Sequence, residues 1–199
     1  MNKIKLGFLA SHGGSNMQAI IDACKSGTIN AVPVVVISNN SNSMALERAR
    51  NEGIPAYHIS QKKYPEPEDL DNAIIEVLEK YKVDIVILAG YMKKLGSKVI
   101  NRFKGKILNI HPALLPKYGG EGMYGKFVHE AVIKNKEKES GCTVHIVDEI
   151  YDHGRILGQA KVPVFPDDTP EILAERVLEQ EHRLYPEVIG KIANGEIVL

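Results

Sequence analysis

The sequence has no excess of either charge: 25 Lys and Arg stand against 25 Asp and Glu over 199 residues. General polyanion binders carry a clear basic excess, so that class, nucleic-acid binders included, is excluded. Cysteine is scarce. Cys24 and Cys142 form neither a CxxC pair nor a metal-ligand spacing. A disulfide framework is therefore absent, and a reducing, cytoplasmic setting is the expectation. Long apolar runs are missing too. The longest, Ala31–Ile37, contains Pro33 and falls far short of the roughly 20 residues that cross a bilayer. No apolar signal segment precedes the first strand-like stretch. With no repeat, low-complexity tract or Ser/Gly linker, residues 1–199 are expected to form a single domain. A chain of this length buries a core without covalent staples.

The balance of charge is uneven along the chain. Residues 1–100 hold 12 bases and 10 acids, and residues 101–199 hold 13 and 15. Between Asp84 and Glu121 there is no acid, but there are seven bases: Lys93, Lys94, Lys98, Arg102, Lys104, Lys106 and Lys117.

Apolar strand-like runs alternate with helical patterns, the signature of βαβ units. Strands are expected at Ile4–Ser11, Val32–Ser38, Ala56–Ile59, Asp84–Ala89 and Lys106–Ile110. Helices are expected at Ser15–Lys25, Met44–Asn51, Glu68–Tyr81, Ser97–Phe103 and Gly125–Lys134. In the first of these, Met17, Ile20, Ile21 and Cys24 recur at helical spacing. Thr143–Val147 and Ile156–Val162 read as a strand pair around the turn Asp148–Gly154, and antiparallel pairing there makes the sheet mixed. Thr169–Ala193 reads as a closing helix interrupted or kinked at Pro186. The fold class is α/β: a three-layer αβα Rossmann-like fold with a mostly parallel, mixed sheet of about seven strands.

Two segments carry chemistry. The loop Ser11-His12-Gly13-Gly14-Ser15-Asn16 lies between the first strand and helix, where glycines allow close approach and free N–H groups favour an anion. Ser15 or Asn16 can also cap the helix. The loop is neither GxGxxG nor a P-loop, and a tight capped turn explains it equally well. Asn109-Ile110-His111-Pro112 ends a buried strand, with Asn109 and His111 on one side. An amide can donate to a developing oxyanion and an imidazole can exchange a proton. A structural strand-end histidine is the competing explanation. Downstream, His145, Asp148, Asp152 and His153 form a second polar cluster, from which Asp152 can reach His111 and raise its pKa. These residues match no common metal spacing, so no metal is expected.

Together the motifs resemble those of the phosphoribosylglycinamide formyltransferases, folate-dependent enzymes of purine biosynthesis. The resemblance rests on SHGGSN with MQAIIDAC, LAGYM at Leu88–Met92, and NIHPALLPKY at Asn109–Tyr118. It extends through DEIYDHG at Asp148–Gly154, QAKVPV at Gln159–Val164 and EQEHRLYP at Glu179–Pro186. It implies formyl transfer from 10-formyltetrahydrofolate to the amine of 5-phosphoribosylglycinamide (GAR). Asn109 would hold the oxyanion, His111 would act as general acid, and Asp152 would keep His111 protonated. Gly14, Ser15 and Asn16 would bind the GAR phosphate and Glu181 its ribose. Met92, Lys93, Lys94, Leu95 and Asn109, with Asp148, Glu149, Ile150, Tyr151 and Asp152, would line the folate pocket. The partners expected are these two small molecules, with no nucleic acid and no membrane, on a monomer or a homodimer.

Three positions depart from the family pattern. Pro67 stands where many relatives have a folate-contacting Arg, with Lys62, Lys63 or Lys93 as substitutes. Gly119–Gly125, with four glycines in seven residues, replaces a Pro-Gly segment and suggests a lid. His12 replaces a usual Gly. The rivals are a 10-formyltetrahydrofolate hydrolase, a methionyl-tRNA formyltransferase and a non-catalytic nucleotide-binding module. The first two usually carry an extra domain, for which the expected strand at Ile4 and the end at Leu199 leave no room. Intact Asn109, His111 and Asp152 argue against the third.

Overall fold

In the computed structural model, which describes residues 3–199, strands and helices alternate from the first residues. The order is β1 (Ile4–Leu9), α1 (Ser15–Lys25), β2 (Ala31–Ser38), α2 (Met44–Asn51), β3 (Ala56–His58), α3 (Pro67–Lys80) and β4 (Ile85–Leu88). It continues with α4 (Ser97–Arg102), β5 (Ile107–His111), α5 (Lys126–Lys134), β6 (Glu139–Ile146), β7 (Ile156–Pro163) and α6 (Pro170–Ala193).

Local chemistry explains the boundaries. In α1 the stripe Met17, Ile20, Ile21 and Cys24 is buried. Pro67 opens α3 with its φ already helical, Glu68 and Asp69 follow in the first turn and Lys80 closes the last, matching the helix dipole. Gly53, at φ 69°, takes the left-handed turn that ends α2.

The sheet order is β3-β2-β1-β4-β5-β6-β7. Every pairing from β3 to β5 is parallel, and β6 alone runs against its neighbours. One apolar layer packs α1, α2, α5 and α6 on one face of the sheet. The other packs α3 and α4 on the opposite face. The chain leaves β1 towards β2 and later returns on β1's other side as β4. In such sheets the crevice at this reversal, beyond the strands' C-terminal ends, receives ligands. Here it is spanned by Ser11, whose N–H donates to Gly90 O at 3.0 Å and whose Oγ accepts from Met92 N at 2.8 Å. From beneath, the buried Tyr185 hydroxyl of α6 reaches Leu108 O at 2.9 Å and Leu88 O at 3.1 Å. It thereby fixes the ends of β4 and β5.

Three sequence expectations need correction. The closing helix is not interrupted at Pro186: α6 runs through it. The ring removes one helical N–H, but Leu184, Tyr185, Val188 and Ile189 hold the flanking turns against the core. Strand β6 begins at Glu139, four residues before the expected Thr143, because the polar stretch Glu139–Gly141 pairs with Lys161–Pro163. At Gly141 a Cβ would stand 1.9 Å from Ala160 O, so the strands' close approach requires the glycine. Finally, neither Ser15 nor Asn16 caps α1. The N-cap is Gly14, in the left-handed region, with no side-chain cap.

Candidate active site

The uncapped start of α1 sets the first half of the site. His12 O accepts from Ala45 N at 2.9 Å, Gly13 O from Arg48 Nε at 2.9 Å, and Gly14 O from Gln18 N at 2.9 Å. Three successive carbonyls are thus drawn away from the crevice. Because a trans peptide points N–H and C=O in opposite directions, the N–H groups of Gly13, Gly14 and Ser15 face the other way. Free N–H groups at a helix start are donors of the kind that can cradle an anion, and the loop is here termed the nest. Asn16 is engaged elsewhere: its Nδ2 donates to Glu181 Oε2 at 2.7 Å across a buried contact between α1 and α6. Its Oδ1 is buried without a partner. Burial pushes the Glu181 carboxyl up to about 7 against the pull of the Asn16 bond.

The second half lies at the end of β5. Asn109 pairs in register with His145 of β6, and its Nδ2 lies 3.2 Å from His145 Nε2. The other ring nitrogen, Nδ1, sits 2.9 Å from Ile146 O. A carbonyl only accepts, so Nδ1 carries a proton; Nε2 stands between the Asn109 amide and the Asp152 carboxylate, accepting from the first when the ring is neutral and donating to the second when it is protonated. The amide is thereby oriented with one N–H still free for a ligand.

His111 is buried, with Nε2 2.7 Å from Tyr118 O and Nδ1 3.4 Å from Asp152 Oδ2. Burial draws its pKa down; the Asp152 charge and the Tyr118 carbonyl push up without cancelling that. Asp152 sits between two histidines, its Oδ1 3.5 Å from His145 Nε2, while its Oδ2 accepts from Gly120 N at 3.0 Å. Burial acts to raise the Asp152 pKa, but the His145 contact, the His111 charge and the Gly120 N–H together hold it below the usual value. The backbone of Asp152 is left-handed, at φ 55°.

The expected folate residues come together. Lys93, Lys94, Leu95, Asn109 and the turn Asp148–Asp152 line one pocket with Leu88, Tyr91, Ile100, His145 and Val147. Lys94 Nζ lies 5.3 Å from the Tyr151 ring centroid, across the pocket from its own loop. Met92 is exposed and does not line it. The polar cluster expected downstream of β5 divides. His145 and Asp152 join Asn109 and His111, whereas Asp148 and His153 pair with each other at 3.2 Å on the rim. Pro67 starts α3, and Lys63, one of its proposed substitutes, donates to His58 O at 3.3 Å. Among the described residues no group of three or more His, Cys, Asp or Glu could hold a metal ion, and no helix is long and apolar enough to cross a membrane.

Several contributors escaped the sequence reading. Thr143 Oγ1 donates to Ala113 O at 2.6 Å and accepts from Leu115 N at 3.1 Å and Gln159 Nε2 at 2.9 Å. It thus fixes the segment that follows His111. Gln159 lies in the QAKVPV motif, but the Thr143 link spans two strands and has no local signal. Arg48 is bound to the nest through Gly13, and nothing in its helical pattern marks it.

A model for formyl transferases matches residues 4–189. A phosphoribosylglycinamide formyltransferase from Haemophilus influenzae is 44% identical over 195 residues, covering 98% of this chain and 90% of that protein. The chloroplastic enzyme of the same name from Arabidopsis thaliana is 45% identical over 195 residues, 97% of this chain but only 66% of the plant protein. The crystal structure of glycinamide ribonucleotide transformylase 1 from Symbiobacterium toebii superposes with a TM-score of 0.93 at 41% identity. That match covers 100% of this chain and 91% of the other.

Proposed function

The chain belongs to the formyl transferase family, and we infer that it transfers the formyl group of 10-formyltetrahydrofolate to the amine of GAR, giving formyl-GAR and tetrahydrofolate in purine biosynthesis. What supports this is that Asn109 and Asp152 line one pocket with Lys93 and Tyr151, that Asp152 lies 3.4 Å from His111, and that β5 ends two strands from the β1 end that feeds the Gly13–Ser15 loop. Folate occupies the pocket, and the GAR phosphate sits on the nest with its ribose near Glu181.

The substrate amine attacks the formyl carbon, and negative charge develops on the formyl oxygen. The free N–H of Asn109 stabilises it; removing one such donor typically costs about 10²–10³ in kcat. The amine then loses a proton and the folate nitrogen gains one as its bond to carbon breaks. His111 handles this proton, with Asp152 stabilising the imidazolium. Both ring nitrogens of His111 have partners, Tyr118 O and Asp152 Oδ2, so one contact opens during turnover. Residues 1–199 act as one formyltransferase domain, and a reducing compartment such as the cytoplasm suits the free, buried Cys24 and Cys142.

The test is a formyl-transfer assay with GAR and 10-formyltetrahydrofolate. Formyl-GAR should appear in step with tetrahydrofolate. Formate release without formyl-GAR refutes the transferase reading and indicates a hydrolase.

A further inference from the structure

We propose that Arg48 is a positioning residue for the substrate phosphate, acting through the Gly13–Gly14 peptide rather than by direct contact. This rests on the GAR reading above and assigns that subsite a residue outside its loop.

Arg48 lies in α2, on the side of the loop away from the crevice. Its Nε donates to Gly13 O at 2.9 Å, and its Nη2 has only Met44 Sδ, at 3.8 Å. Among the described residues no carboxylate pairs with it, although Glu47 and Glu52 lie nearby in sequence; Glu52 is taken by Lys25 at 2.8 Å. Its guanidinium has no carboxylate partner and stands behind backbone donors at a helix start, an arrangement that favours an anion there. The same peptide offers the anion its Gly14 N–H. Cation and phosphate thus sit on opposite ends of one peptide dipole, on the order of 8 Å apart. A cation bound to a carbonyl strengthens the donor at the other end of that amide. It also keeps the Gly13 oxygen, which would repel phosphate, turned outward. The seat is tight: a Cβ on Gly14 would lie 2.9 Å from Ala45 Cβ, so the first turn of α2 presses against the loop. His182 lies on the same side; burial and then the Arg48 charge lower its pKa.

The experiment compares wild type, Arg48→Met and Arg48→Lys. Arg48→Met keeps an apolar stem and removes the charge. Its KM for GAR should rise roughly tenfold at low salt. The KM for 10-formyltetrahydrofolate should stay within about twofold and kcat within about threefold, while the KM gap narrows as salt screens the charge. Arg48→Lys, which keeps the charge and one donor, should recover part of the loss. An unchanged KM for GAR overturns the proposal. So does a parallel rise in both KM values with a fall in Tm, which marks a purely structural tie. If wild type makes no formyl-GAR, the GAR reading fails and inorganic phosphate decides. A phosphate-induced rise in Tm that Arg48→Met loses upholds the proposal, and equal rises overturn it.

Discussion

Replacing Glu181 with Gln should remove a specific pH dependence from the protein's stability. The carboxyl is 7% exposed, and among the described residues no cation pairs with it. Asn16 of α1 donates to it at 2.7 Å, and its other titratable neighbours are Cys142 of β6 and Tyr185 of α6. Burial raises its pKa from the ordinary 4.5 to about 7, and Asn16 offsets this only in part. A neutral carboxyl also carries an O–H, the kind of donor the unpaired Asn16 Oδ1 lacks. Below pH 4.5 both folded and unfolded chains hold this proton, and the stabilisation from the raised pKa is fully present. As pH rises towards 7 the unfolded chain releases a proton that the native state keeps, costing about 1.4 kcal/mol per pH unit. Over 7 − 4.5 = 2.5 units the loss is roughly 3 kcal/mol, complete above the folded pKa. Glu181→Gln keeps an acceptor for Asn16 and abolishes the titration. Relative to wild type it should therefore gain roughly 3 kcal/mol between pH 4.5 and 8, or about 6–12 °C in Tm for a chain of this size. The buried His111 and His129 and the half-buried His182 have lowered pKa values and favour stability in the opposite direction, rising with pH. The quantity to measure is thus the difference between the two proteins' urea-unfolding free energies across that range. A difference that stays flat would show that Glu181 is ionised throughout, and the burial argument would fail.

Other perturbations follow from single contacts. His111→Ala should lower kcat by roughly 10²–10⁴ in the formyl-transfer assay; an unchanged kcat removes it from proton transfer. Asp152→Asn takes away the charge that supports the His111 imidazolium, so kcat should fall about a hundredfold or more with far smaller changes in KM. Tyr185→Phe deletes a buried hydroxyl shared by Leu88 O and Leu108 O and should cost roughly 1–3 kcal/mol in urea unfolding. A loss under about 0.5 kcal/mol would mean that water satisfies both carbonyls. Gly14→Ala forces a side chain at φ 69° against Ala45, and should raise KM for GAR more than KM for folate.

What was legible in the sequence depended on how local each determinant is. Helix α1 matches its expected bounds because its buried stripe, Met17 to Cys24, is a property of eleven consecutive residues. Asn109 and His111 share a strand, so their common orientation follows from alternation alone. The link from Asp152 to His111 needs β6 and β7 to pair in the right register; the turn position of Asp152 points to it, and the family motif supports it. Of the interruption or kink expected at Pro186, the interruption does not occur, because tertiary packing of α6 outweighs one lost helical bond. Charge on His111 was misjudged in the same way. A carboxylate neighbour is visible as a residue type, but the burial that opposes it is set by the whole fold.

The charge pattern shows the same limit from another side. Three of the seven bases in the acid-free stretch pair with acids from outside it: Lys98 with Glu68 at 3.0 Å, Arg102 with Glu79 at 2.5 Å, and Lys117 with Glu137 at 3.0 Å. Lys106 precedes β5, at the end of the sheet away from the site. Of the seven, Lys93 and Lys94 line the pocket proposed for folate. The unpaired cation at the other subsite, Arg48, lies outside the stretch altogether, within a helix rich in both signs. A gap in acidic residues along the chain therefore says little about the potential a ligand meets. What matters is which bases lack partners after folding. Pocket lysines on one side and Arg48 on the other suffice for two anionic substrates on a chain whose net charge is zero.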